Sequence, residues 1–245
     1  MITPATPARF LASVTGPEEA LIAHLNGAHI IDAKDPARGA LGALDVATVT
    51  RIRASLPASV IVSATIGDLP ADPVPVVEAV RAMAASGCDL IKIGMFPGGD
   101  PLAMIAALGR LGLQHTRLAG LLLADASPDL SLIPAMARAN FAGVMLDTAG
   151  KAGGALTDQM DLRALAGFIA RAKSAHLFAG LAGSLQLSHI AQLMPLLPNV
   201  IGFRGALCER GVRTGGLFGP RVAEVAHAIG RHGTRTGTLG HMEAY

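Results

Sequence analysis

Lysine is scarce in this chain and unusually placed. Four lysines, Lys34, Lys92, Lys151 and Lys173, stand against sixteen arginines. Three of the four sit in or directly after short apolar runs: IIDAK (30–34), LIKIG (90–94) and VMLDTAGK (144–151). Arginine already supplies the ordinary surface charge, so solubility gives no reason for lysine at these places. The lysine amine differs from a guanidinium in that it can lose its proton, act as a base, or form an imine with a carbonyl. Amines held near one another raise the cost of protonating all of them, so at least one pKa should fall. Lys173 falls late in a helical pattern and reads as a cation matched to a helix C-terminus.

The elements that must position these amines alternate along the chain. Strand-like runs at 9–14, 29–32, 60–67, 90–94, 116–125, 143–147, 177–184 and 200–205 each precede a helix-like stretch. The strand runs are continuously apolar, as when both faces are covered. The helical stretches carry apolar stripes, such as Val76, Val77, Val80, Met83 and Ala84. Several start after Pro or Asp and stop at Gly. Eight βα units in 245 residues predict a TIM (β/α)8 barrel in a single catalytic domain over residues 1–230. A doubly wound open sheet is the alternative, but it does not require eight regular units. Residues 231–245 show no periodicity and read as a flexible tail.

In a TIM barrel the site lies at the C-terminal ends of the strands. The polar residues there are Ser13, Asp32, Lys34, Ser63, Thr65, Asp68, Lys92, Asp125, Asp147, Thr148, Lys151, Ser184 and Arg204. Three lysines and several aspartates thus face one mouth, an arrangement suited to imine and acid–base chemistry. The loops after strands seven and eight, AGS (182–184) and FRGALC (203–208), suggest a phosphate site. Gly183, Ser184 and Gly205 would offer backbone N–H groups and Arg204 a bidentate guanidinium. Ser63 and Thr65 are added as substrate contacts, and GMFPGGD (94–100) is a second Gly-rich loop.

Other classes are disfavoured. Net charge is +2 with no basic run, so neither nucleic acid nor an anionic membrane is an expected partner. No apolar stretch approaches the ~18–20 residues of a membrane span. The N-terminus lacks a secretory pattern, and Cys88 and Cys208 read as free thiols, so a cytoplasmic location is expected. The dinucleotide, P-loop and nucleophile-elbow fingerprints are missing and the eight histidines are scattered. No cofactor and no metal is expected. A homo-oligomer is.

Taken together, IIDAKDPARGALGA (30–43), VSATIGDLP (62–70), IKIG (91–94), MLDTAGKAG (145–153), LAGS (181–184) and GFRGALC (202–208) resemble the (5-formylfuran-3-yl)methyl phosphate synthase family over about residues 9–230. The resemblance implies a barrel lyase of methanofuran biosynthesis that condenses two molecules of glyceraldehyde 3-phosphate with loss of phosphate and water. It implies Lys34 as the imine-forming lysine and Lys92 as proton acceptor, with Asp32, Asp147 and Lys151 completing the acid–base set. Around strand five, LLLADAS (121–127) departs from the pattern, offering Asp125 but no lysine. Two other readings stand beside it. One is a different imine-forming aldolase or phosphosugar lyase, including the D-x-K-x-x-D decarboxylase pattern, in which Ala37 stands where the third acid belongs. The other is a non-catalytic barrel that binds a phosphorylated metabolite.

Overall fold

The structure, a computed structural model, describes residues 2–150 and 153–233. In chain order the elements are β1 (Arg9–Val14), α1 (Pro17–Leu25), β2 (Ile30–Ala33), α2 (Val46–Ala54), β3 (Ile61–Thr65), β4 (Pro70–Ala71), α3 (Pro73–Ala84), β5 (Leu90–Gly94), β6 (Phe96–Gly99), α4 (Pro101–Gly109), β7 (Arg117–Leu123), α5 (Ile133–Arg138), β8 (Gly143–Asp147), α6 (Leu156–Gln159), α7 (Leu162–Ser174), β9 (Phe178–Leu181), α8 (Ile190–Leu193), β10 (Val200–Phe203) and α9 (Gly219–Gly233). Eight strands close a barrel in the order β1-β10-β9-β8-β7-β5-β3-β2, all parallel. The predicted TIM barrel is the fold, as a single domain.

Aspartate starts many of the helices. Asp45, Asp72, Asp100 and Asp161 each precede a helix and accept a hydrogen bond from a first-turn N–H. Alternation along the strands then sorts the apolar residues into two bodies. Outward residues such as Phe10, Ile31, Val62, Ile91 and Leu146 pack with the helices into the main core. Inward residues Leu11, Ile30, Leu90, Ala119, Met145, Phe178 and Val200 join Ile2 in a separate plug that floors the barrel. The inner space is tight enough that a Cβ on Gly143 would overlap the Phe178 ring.

Two departures from the sequence pattern have local causes. The helix expected over 186–197 is cut short to α8, with 3-10 turns at Leu187–His189 and Met194–Leu196. Pro195 lies in the second of these, where it has no N–H to continue an α-helix. The Gly-rich stretch at 94–100 is no open loop: β6 pairs with β4 in a small parallel sheet beside the barrel mouth. The last helix reaches Gly233, and residues 234–245, with most of the expected tail, lie outside the described residues. Cys88 and Cys208 are both buried free thiols. Among the described residues no helix is long and apolar enough to cross a membrane.

Candidate active site

Two residues above the apolar floor, the same strands turn polar. Ile30 gives way to Asp32, Leu11 to Ser13, Ile61 to Ser63, Leu90 to Lys92 and Met145 to Asp147. The register sets Asp32 opposite Ser13 on one side and Ser63 on the other. Both hydroxyls donate to its carboxylate, Ser13 Oγ at 2.9 Å and Ser63 Oγ at 2.6 Å. Lys92 Nζ completes the set, donating to Asp32 Oδ2 at 2.7 Å. Asp32 is 0 % and Lys92 2 % exposed, so this is a deeply buried ion pair with its lone pairs used.

Just after β2, Lys34 reaches a second carboxylate: Nζ lies 3.4 Å from Asp147 Oδ2. Asp147 Oδ1 also accepts from the Thr148 N–H at 2.8 Å. Lys34 and Lys92 both line one cavity of about 290 Å³, as do Asp147, Ser13 and Met145. Burial is the chief force on the Lys92 amine and pushes its pKa below the usual lysine value. Asp32 pulls the other way, and the charge of Lys34 adds to the lowering. The cavity opens on the β1, β8, β9 and β10 side. Across the mouth, Ala40, Leu41, Leu121 and Leu123 form a small apolar cluster with Phe96 packed on it.

The loop after β9 lines the cavity with Gly183 and Ser184, and the loop after β10 does so with Gly205. Gly183 sits at φ +110°, and a Cβ there would meet Thr148. The backbone N–H groups of Ser184 and Gly205 find no acceptor among the described residues. They are available to an anion.

Several expected site residues turn out to work elsewhere. Arg204 borders the cavity, yet all five of its N–H groups are engaged. They bond Glu19 at 2.6 and 3.2 Å and the carbonyls of Ser13, Arg213 and Gly215. The expected Arg204 clamp on a ligand is therefore a clamp on the protein itself. Ser63 and Thr65, expected to touch substrate, are fully buried below the cavity. Ser63 serves Asp32, and Thr65 Oγ1 donates to Gly42 O at 3.0 Å. Asp125, expected among the acid–base groups, does not line the cavity; it accepts from Ala149 N at 2.9 Å and Gly150 N at 2.6 Å. It thereby fixes the loop leading to Lys151, which itself lies outside the described residues. The 94–100 stretch borders a separate cavity of about 190 Å³. Lys173 donates to Leu197 O at 2.7 Å, a structural contact.

Sequence reasoning missed Arg213 and Glu19. Arg213 lies in GVRTGG, a Gly-rich run soon after β10, and its position beyond the eighth strand was a usable signal. Glu19 sits in α1, and nothing in its neighbourhood distinguishes it from a helix-surface acid.

The fold is shared with phosphosugar enzymes. A 3-hexulose-6-phosphate synthase from Salmonella typhimurium superposes with TM-score 0.67 at 13% identity, covering 91% of this chain and 99% of that one. A phosphoribosyl anthranilate isomerase from Thermus thermophilus gives TM-score 0.66 at 16% identity, with 91% and 98% covered. Sequence relatives are nearer. The (5-formylfuran-3-yl)methyl phosphate synthase of Methanococcus aeolicus is 35% identical over 218 residues, 84% of this chain and 93% of that protein. That of Methanothermobacter thermautotrophicus is 34% identical over 243 residues, covering 89% and 98%. A Methylorubrum extorquens protein bearing the same name in provisional form is 42% identical over 221 residues, covering 90% and 91%. The model of the 4-HFC-P synthase family matches residues 10–226, and the chain belongs to that family.

Proposed function

We propose that the protein condenses two molecules of glyceraldehyde 3-phosphate into (5-formylfuran-3-yl)methyl phosphate, a step of methanofuran-type cofactor synthesis, through an imine on Lys34. The observation that carries this reading is the meeting of two lysine amines in one cavity, each held by its own carboxylate. The names borne by the relatives point to the same product.

Lys34 is the better nucleophile by position. Its carboxylate partner is at 3.4 Å rather than 2.7 Å, and it lies just beyond the end of β2, lining the cavity and less deeply buried than Lys92. Attack of the neutral amine on the aldehyde and loss of water give the imine. The imine draws electrons and so acidifies the hydrogen on the adjacent carbon. Lys92, its amine biased toward the neutral form by burial, takes that proton. The electron pair released then serves as the enamine. It expels phosphate from the third carbon of the imine-bound triose. The enol left behind then supplies a second pair, from its own O–H, that forms the carbon–carbon bond to the carbonyl carbon of the other triose, first isomerised to its ketone. Ring closure and dehydration aromatise the ring, and hydrolysis of the imine returns Lys34. One phosphate and two waters leave overall, which balances two trioses against a furan that keeps one phosphate. Asp147, 3.4 Å from Lys34 Nζ, would hold and return protons at the imine nitrogen.

The test is direct. Purified protein incubated with glyceraldehyde 3-phosphate should release inorganic phosphate in step with a rising ultraviolet absorbance of a furan aldehyde. Sugar phosphate without that chromophore would make it an aldolase, and neither signal would leave a binding barrel.

A further inference from the structure

We propose that Arg213 is the guanidinium that grips a substrate phosphate at the mouth of the cavity, and that Arg204 with Glu19 are positioning residues for it. The inference rests on the proposed chemistry only for the identity of the phosphate ester.

The two arginines of this region are used in opposite ways. Arg204 has no donor left, as described above. Arg213 has its backbone fixed and its guanidinium nearly unused. Its carbonyl accepts from Arg204 Nε at 2.8 Å. The excursion around it is tied down at several further points: Gly215 N donates to Val212 O at 2.8 Å, Leu217 pairs with Cys208, and Leu217 N donates to Glu19 Oε1 at 3.2 Å. The Arg213 side chain makes one long contact, Nη2 to Gly39 O at 3.5 Å, in the loop after β2, which flanks β1 on the side away from β10. It lines the cavity that holds Lys34 and Lys92.

The surroundings suit a phosphate. Arg213 lines the same cavity as Ser184 and Gly205, whose backbone N–H groups lack protein acceptors among the described residues. A planar fork opposite backbone donors can hold phosphate oxygens from two sides. Holding the phosphate at the mouth leaves the aldehyde end of a triose directed inward toward the amines. The link from Arg213 to Gly39 O is long, so an arriving phosphate would replace a weak contact at little cost.

The experiment uses the whole chain as wild type, Arg213→Gln and Arg213→Lys. Inorganic phosphate is titrated into each by calorimetry at low salt. Wild type should bind, Arg213→Gln should bind roughly tenfold or more weakly, and Arg213→Lys should fall between, keeping charge but not the fork. With glyceraldehyde 3-phosphate, KM should rise by a similar factor while kcat changes far less. Because Arg213 has a single long hydrogen bond to lose, thermal transitions of the variants should match wild type. Equal phosphate affinity in wild type and Arg213→Gln, or no phosphate binding by wild type, overturns the proposal. The titration contains no aldehyde and needs no turnover. A protein that binds phosphate through Arg213 yet makes no furan would sink the proposed reaction and leave this inference standing.

Discussion

Two lysine–aspartate pairs share one cavity and differ in almost every physical respect. Lys92–Asp32 is short, sits within the barrel at 2.7 Å, and is reinforced by two serine hydroxyls. Lys34–Asp147 is long at 3.4 Å, stands at the strand ends, and shares its carboxylate with a backbone N–H. A short, fully hydrogen-bonded pair resists rearrangement, because separating it would leave a charge in a dry interior. A long pair at the edge releases its amine at lower cost. On the proposed mechanism, this contrast gives the covalent step to the outer lysine and a fixed electrostatic and proton-handling role to the inner one.

The sharpest way to break this contrast is Lys34→Ala. Loss of the nucleophile should lower turnover by roughly 10⁴-fold or more and abolish borohydride trapping of substrate on the protein. Stability should fall, though less than in the next variant, since the buried Asp147 keeps its bond to the Thr148 N–H. Trapping that persists, and moves to Lys92, would reverse the two assignments. Next is Asp32→Asn. With Lys92 left buried beside a neutral amide, chemical denaturation should show a loss of about 3–5 kcal/mol. The rate should also fall by roughly 10²-fold or more as Lys92 loses its anchor. A variant that stayed as stable as wild type would mean that the inner pair is no firmer than the outer one.

Asp125→Ala probes a smaller effect. Removing the carboxylate frees the Ala149 and Gly150 N–H groups and loosens the loop before Lys151. Turnover should drop by roughly 10–100-fold through misplacement, with about 1–2 kcal/mol of stability lost. Full activity in this variant would show that the loop needs no such tether.

The mildest effect is the pH profile. Lys92 has a lowered pKa in the folded protein, so between that value and the ordinary 10.5 the unfolded chain binds a proton that the folded one does not. Stability should therefore rise with pH across that window and be lost as pH falls toward the folded value. Turnover should rise through the same lowered value, as the neutral amine becomes available as a base. A rate that climbs only near 10.5 would show that Asp32 keeps Lys92 charged, and the proton acceptor would have to be sought elsewhere.

The barrel was legible because its signal is repetitive: eight apolar runs and their helices repeat one pattern, and an error at Pro195 leaves the rest intact. The lysines were legible because arginine does the ordinary work. The aspartates were not separable by sequence. Asp45, Asp72, Asp100 and Asp161 cap helices, and Asp68 holds the Ala40 and Leu41 N–H groups. Asp125 ties a loop, while Asp32 accepts only from side chains among the described residues. All are the same residue type beside a strand or helix end, and only the register of neighbouring strands tells them apart. Arg204 was misjudged for a related reason. Its partner Glu19 is 185 residues away, and no local pattern announces a contact of that span.

That span has a consequence for assembly. Glu19 belongs to the first βα unit and Arg204 follows the last strand, so their contact can form only once β1 has met β10. A nascent or partly opened chain, however well its middle strands are paired, lacks the brace that orients Arg213. The proposed anion grip thus depends on the seam that joins the first strand to the last. A barrel open at that seam would carry its lysines without the proposed means of holding a phosphate beside them.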